Sequence, residues 1–96
     1  EGPEVVQPVT YAVQVALAAV WRSLGLRPAA VVGHSIGELA AAVTAGGMSL
    51  LDGARLVCRR ALMMRPAAGK GAMALVDLPF AEAEERLAGR SGVTAA

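Results

Sequence analysis

From Pro8 to Leu24 apolar residues fall nearly all round a helical projection, which predicts a buried helix. Pro8 suits its first turn and Gly25 its C-terminal stop. After the connection "LRP", Ala29 to Gly33 reads as a short buried parallel strand. A second helix is predicted from about Ser35 to Ala45, with Ile36, Leu39, Ala40 and Val43 on one face and Gly46 and Gly47 at its end. Ser49 and Asp52 resemble a capping box, with Asp in place of the usual Glu or Gln, for a third helix from about Leu50 to Arg65. "PAAGKG" is a loop, Ala72 to Asp77 a strand, Pro79 to Leu87 a short amphipathic helix and Gly92 to Ala96 another strand. Strands alternating with helices predict an α/β protein with parallel pairing. No internal repeat is present.

The junction between the first strand and the second helix reads "GHSIG", a G-x-S-x-G pattern. In that setting the pattern describes a sharp turn that strains the serine backbone and exposes its Oγ. Gly33 and Gly37 are expected to keep side chains out of the crowded space on either side. The Ser35 hydroxyl then sits at a helix N-terminus, where the Ile36 N–H is the natural first donor to a developing oxyanion. The competing reading makes Ser35 only a helix cap, with Glu38 completing S-x-x-E. His34, the one histidine, adjoins Ser35. Neighbours at such a turn point apart, so His34 is expected to be a wall or packing residue rather than the general base. On the nucleophile reading, the segment holds a nucleophile without its base.

On the third helix, at about 100° per residue, Asp52, Arg55 and Arg59 share one polar arc within i,i+3 and i,i+4 reach. Arg60 instead falls among Leu56, Val57 and Met64, inside the apolar arc. A buried unpaired charge is costly, so Arg60 requires acceptors. Either it snorkels or forms an internal salt bridge, or its guanidinium fork awaits a substrate carboxylate. Arg59 reads as a solvated surface charge. Lys70 lies in a loop that lacks the P-loop spacing.

Composition narrows these options. The 96 residues are 55% hydrophobic, which raises the question of a membrane span. The longest uncharged run, Val5 to Trp21, carries Gln7, Pro8, Thr10 and Gln14 and falls short of the roughly 20 apolar residues a span needs. Glu1 and Glu4 stand where a signal peptide would be basic. A net charge of +1 and three aromatic residues supply neither a basic stripe nor a stacking platform for nucleic acid. The single cysteine, Cys58, excludes an internal disulfide or a cysteine-based zinc set and reads as a core residue in a reducing, cytoplasmic setting. No metal site is expected. With no initiator Met and an end inside an expected strand, the chain is expected to be a piece of a larger protein.

"GHSIGE" followed by "LAAAVTAGGMSLLDGARLVCRRALMM" resembles the acyltransferase domain of type I polyketide synthases, related to the malonyl-CoA transacylases of fatty acid synthesis. The likeness also includes "VVQP", "PAAVVGHSIGE" and "GKGAMALV", in order, and so spans almost the whole chain. It implies an α/β-hydrolase-like parallel sheet with helices over residues 1–70. It further implies that 71–96 open a small ferredoxin-like subdomain as a truncated β-α-β unit.

The resemblance makes Ser35 the nucleophile of a seryl acyl-enzyme and Arg60 the holder of an extender carboxylate. It places Gln7, His34 and Ile36 at the substrate, although Gln7 reads equally well as a polar residue ahead of the Pro8 helix start. The family's catalytic histidine would follow Ala96, and a glutamine loop carrying a second oxyanion donor would precede Glu1. The isolated 96 residues are therefore expected to be inactive and poorly stable. The implied donor is acyl-CoA, and the acceptor is the phosphopantetheine of an acyl carrier protein. Other synthase domains are implied as partners, with no bound cofactor, nucleic acid or membrane.

In the family it resembles, a branched apolar residue such as Ile36 at the variable position of "GHSxGE" goes with malonyl, whereas "EVVQP" resembles stretches that accompany methylmalonyl choice. "VQP" with "RRAL…GKGAM" is similar to iterative synthases of the 6-methylsalicylic or orsellinic type, which use malonyl; malonyl is the expectation. The alternatives are a serine esterase or thioesterase of the α/β-hydrolase class, which would need no carboxylate receptor, and a non-catalytic scaffold fragment.

Overall fold

Pro3, not Pro8, opens the first helix. The computed structural model describes residues 2–67 and 69–96; Glu1, counted in the signal-peptide reading, and Ala68, in the expected loop, lie outside the described residues. Helix α1 runs Pro3–Ser23, with Gly2 as its N-cap and Glu4 in the first turn. Pro8 lies inside the helix, where its missing N–H leaves the Glu4 carbonyl without its usual partner. At the other end Gly25 takes φ +86° and stops the helix, as its position predicts.

Helix α2 spans Ile36–Thr44 and α3 spans Leu50–Met64. Gly46, at φ +81°, turns the chain between them. Ser49 caps α3 by accepting the Asp52 N–H at 3.0 Å. The Asp52 carboxylate is too short to complete the reciprocal half of a capping box and instead accepts from the Ser49 hydroxyl at 2.6 Å. A 3-10 turn, Arg65–Ala67, follows α3, and α4 spans Phe80–Leu87.

Helices α1, α2 and α3 pack into one unit. Its centre is Tyr11, Ala40 and Val57, with Val15, Ile36, Leu39, Val43 and Ala54 packed around them. The predicted α2 face is the one that enters this core. The α1–α3 crossing is close because Gly53 is buried beneath the Tyr11 ring, whose hydroxyl donates to the Leu50 carbonyl at 3.0 Å.

The expected parallel sheet is absent: among the described residues there is no strand, and the architecture is helical. A strand exists only through ladder hydrogen bonds to a neighbour. Residues 29–33, 72–77 and 92–96 make none with one another. Val32, Met73 and Leu75 are essentially fully exposed. Of the expected β-α-β unit over 71–96, only the helix, α4, is present. The apolar periphery of α1 is likewise not buried: Val5, Val9, Val13, Leu17 and Trp21 are all exposed. Among the described residues, no helix is long and apolar enough to cross a membrane.

Candidate active site

The turn from residue 33 into α2 confines the chain so tightly that only glycine fits at 33. A Cβ on Gly33 would lie 2.3 Å from the Gly37 carbonyl carbon and oxygen and 2.5 Å from the Glu38 nitrogen. Gly37 is under no such constraint. A Cβ there would meet only Gln14 Nε2 at 3.8 Å, so the crowding expected at both glycines is confined to the first.

Ser35 has φ 53° and ψ −113°, and it is the one non-glycine residue with positive φ among those described. Such geometry costs about 1–3 kcal/mol and persists only where the surroundings impose it. It occupies the N-cap position of α2 but makes no side-chain capping bond. Its hydroxyl therefore has a different partner: Arg60 Nη2 donates to Ser35 Oγ at 2.9 Å. Gly37 N–H donates to the His34 carbonyl at 2.9 Å and Glu38 N–H to the Ser35 carbonyl at 3.1 Å. Among the described residues the Ile36 N–H has no protein acceptor, leaving one helix-terminal donor beside the hydroxyl.

Arg60 is half-buried and reaches its position from α3. Its Nη1 donates to Gln7 Oε1 at 2.6 Å, and the Gln7 amide Nε2 donates to Met64 Sδ at 3.0 Å. The internal salt bridge considered for Arg60 is not found: none of the ion pairs among the described residues includes it. Ser35, Arg60 and Gln7, drawn from a turn and two helices, thus form one connected group. Arg59, Glu38, Leu39, Leu56, Met63 and Met64 join Ser35 and Arg60 around an open cleft of about 630 Å³.

His34 and Ile36 are placed differently. His34 is exposed and lines a second cleft with Gln14, Gly33, Gly37 and Thr44. No hydrogen bond joins it to Ser35. The Ile36 side chain packs on the core, so what this residue presents at the turn is its backbone N–H.

Of the lining residues that sequence reasoning did not assign to the site, Met64 and Arg59 bear on it most directly. Met64 follows Arg60 by one turn, a spacing visible in the sequence, but its contact with Gln7 depends on how α1 crosses α3. Arg59, read as a solvated charge, is exposed yet borders the Ser35 cleft. The polar arc itself is present, with Asp52 and Arg55 3.6 Å apart at the surface. Among the described residues no three of His, Cys, Asp or Glu cluster closely enough to hold a metal ion.

A model of the acyl transferase domain family matches residues 1–96. The 5-methyl-1-naphthoate synthase of Streptomyces sahachiroi is 54% identical over 90 residues, covering 94% of this chain and 5% of that protein. A spectinabilin polyketide synthase system protein of Streptomyces orinoci is 60% identical over 90 residues, 93% of this chain and 2% of its own length. The 6-methylsalicylic acid synthase of Aspergillus terreus is 53% identical over 91 residues, 95% of this chain and 5% of the synthase. The chain thus spans 5% or less of the length of these relatives.

Proposed function

This chain belongs to the acyl transferase domain family found in polyketide synthases, and from that premise we propose that it carries the nucleophile and acyl-group receptor of an extender-loading acyltransferase. Ser35 Oγ attacks the thioester carbon of an acyl-CoA and gives its proton to a base. The resemblance assigns that base to a histidine beyond Ala96, and His34, facing another cleft, is not required for it. The carbonyl oxygen becomes an oxyanion that accepts from the Ile36 N–H. The C–S bond then breaks, and CoA leaves as a thiol after taking up a proton. In the second half, the phosphopantetheine thiol of an acyl carrier protein attacks the seryl ester carbon, and Ser35 Oγ leaves with its proton restored.

The observation that carries this reading is the bond from Arg60 to Ser35 Oγ. In a malonyl ester the free carboxylate carbon lies three covalent bonds from Oγ, each about 1.5 Å or less, and so within roughly 4 Å of it. A guanidinium already in contact with Oγ reaches that carboxylate by exchanging one acceptor for another. An acetyl group would leave the fork without a charged partner. A hydrolase has no use for such a receptor. Malonyl is favoured over methylmalonyl, a preference that rests on Ile36 in "GHSIGE" and on the likeness to synthases of the 6-methylsalicylic type. The one side-chain hydrogen bond of Ser35 Oγ among the described residues comes from Arg60, which is no base, and the isolated 96 residues are expected to show no turnover.

The test is intact-protein mass of the complete domain carrying this sequence, after mixing with equal malonyl-CoA and methylmalonyl-CoA, beside a Ser35→Ala control. A malonyl adduct absent from the control is expected. A methylmalonyl adduct reverses the extender choice. The lack of any serine-dependent adduct overturns the acyltransferase reading.

A further inference from the structure

Gln7 spends both ends of its amide on the site. A guanidinium has only donors, so the Gln7 oxygen must face Arg60 and its nitrogen must face elsewhere. That nitrogen meets the Met64 thioether, a weak acceptor one helical turn from Arg60. The pair on α3 therefore determines which way the amide is turned, and the amide in turn holds Nη1 while Nη2 reaches Ser35.

The charge of this anchor matters as much as its geometry. An aspartate or glutamate is the usual partner for an arginine facing an apolar arc, yet the group that holds Arg60 here is neutral. Glu4, the nearest acid along α1, lies 3.9 Å from Arg65 instead. Glu38 borders the same cleft without an ion pair to Arg59 or Arg60 among the described residues. Two guanidiniums and one carboxylate leave that cleft with a net positive charge.

We infer that Gln7 is a positioning and specificity-determining residue: its uncharged amide fixes the Arg60 guanidinium toward Ser35 without neutralising it, so that the site selects acyl groups bearing a free carboxylate. This inference rests on the proposed acyl-enzyme chemistry at Ser35. A carboxylate at position 7 would hold Arg60 in the same place but would compete for the charge that the incoming acyl group needs.

The experiment measures seryl acylation of the complete domain by malonyl-CoA and, separately, by acetyl-CoA, in the wild type, Gln7→Glu, Gln7→Met and Arg60→Ala. Gln7→Glu is expected to lower the malonyl-to-acetyl ratio of kcat/KM by about tenfold or more, the scale of one charge-assisted hydrogen bond. The loss should be carried mainly by the malonyl KM. Gln7→Met keeps the bulk but not the acceptor, and is expected to slow malonyl acylation with a smaller change in ratio. A Gln7→Glu enzyme with the wild-type ratio, whether at full or uniformly reduced rate, overturns the inference while leaving the acyl-enzyme reading intact. A wild type with no serine-dependent adduct overturns both.

Discussion

Arg60 Nη2 lies 2.9 Å from Ser35 Oγ, joining the C-terminal half of α3 to the strained turn before α2 across 25 positions of the chain. Arg60 is thereby a neighbour of the proposed nucleophile rather than a distant surface charge. A guanidinium donates to Gln7 and Ser35 at once because its N–H groups form a rigid planar fork.

An ammonium cannot reproduce that fork. Arg60→Lys in the complete domain is expected to lower malonyl kcat/KM by about 10- to 100-fold, the scale of one charge-assisted hydrogen bond. Acetyl transfer should fall less. Steady-state kinetics with both CoA thioesters checks this; equal losses would contradict a receptor role for Arg60.

The two glycines of the turn should respond oppositely to alanine. At Gly33 the new Cβ would overlap the backbone of Gly37 and Glu38, so the turn must open and displace Ser35. A destabilisation of about 1–3 kcal/mol, with loss of acyl-enzyme formation, is expected. At Gly37 the Cβ meets only an ordinary contact with Gln14. Gly37→Ala should retain the fold, and alanine even favours helix by about 0.8–1 kcal/mol over glycine. Thermal melts and adduct formation of the two variants, side by side, check the contrast.

Gly53→Ala is expected to destabilise the helical unit by about 1–3 kcal/mol. Its Cβ would lie 2.3 Å from the Tyr11 hydroxyl oxygen and 2.9 Å from Val43 Cγ2, at the point where all three helices meet. Combining it with Tyr11→Phe removes the nearest atom along with its bond to Leu50. Less-than-additive losses in denaturant titrations are therefore expected for the pair.

Tyr11 also predicts a pH dependence. Burial raises its phenol above the ordinary value of 10.0, because the ionised form loses its hydration. The folded chain therefore keeps the proton where the unfolded chain has begun to release it. The resulting stability is fully present below pH 10.0 and is lost as pH rises through the folded value. Melting temperature should fall faster between pH 10 and 11 in wild type than in Tyr11→Phe.

The helices, the turn and the family were legible locally. Periodicity marked the α2 face that enters the core, Gly25 and Gly46 marked helix ends, and Ser49 marked the start of α3. The failure over the first helix has a local cause too: two prolines compete for its first turn, and Pro3, preceded by the extended Gly2, takes it. The G-x-S-x-G pattern singled out Ser35 and helical periodicity singled out Arg60, because a turn motif and a misplaced charge are each visible in one dimension.

What the sequence by itself determined is what short-range physics controls: where Gly25 and Gly46 end helices, where Ser49 starts one, and which family the ordered motifs match. Tertiary structure decided the rest. An apolar β-branched run becomes a strand only when another strand completes its hydrogen bonds, and residues 29–33 meet none. The neutral partners of Arg60 likewise depend on the crossing of α1 over α3, which sets Gln7 beside it from 53 positions away. No local pattern specifies that approach; it follows from how Tyr11 settles over Gly53 and locks the two helices together.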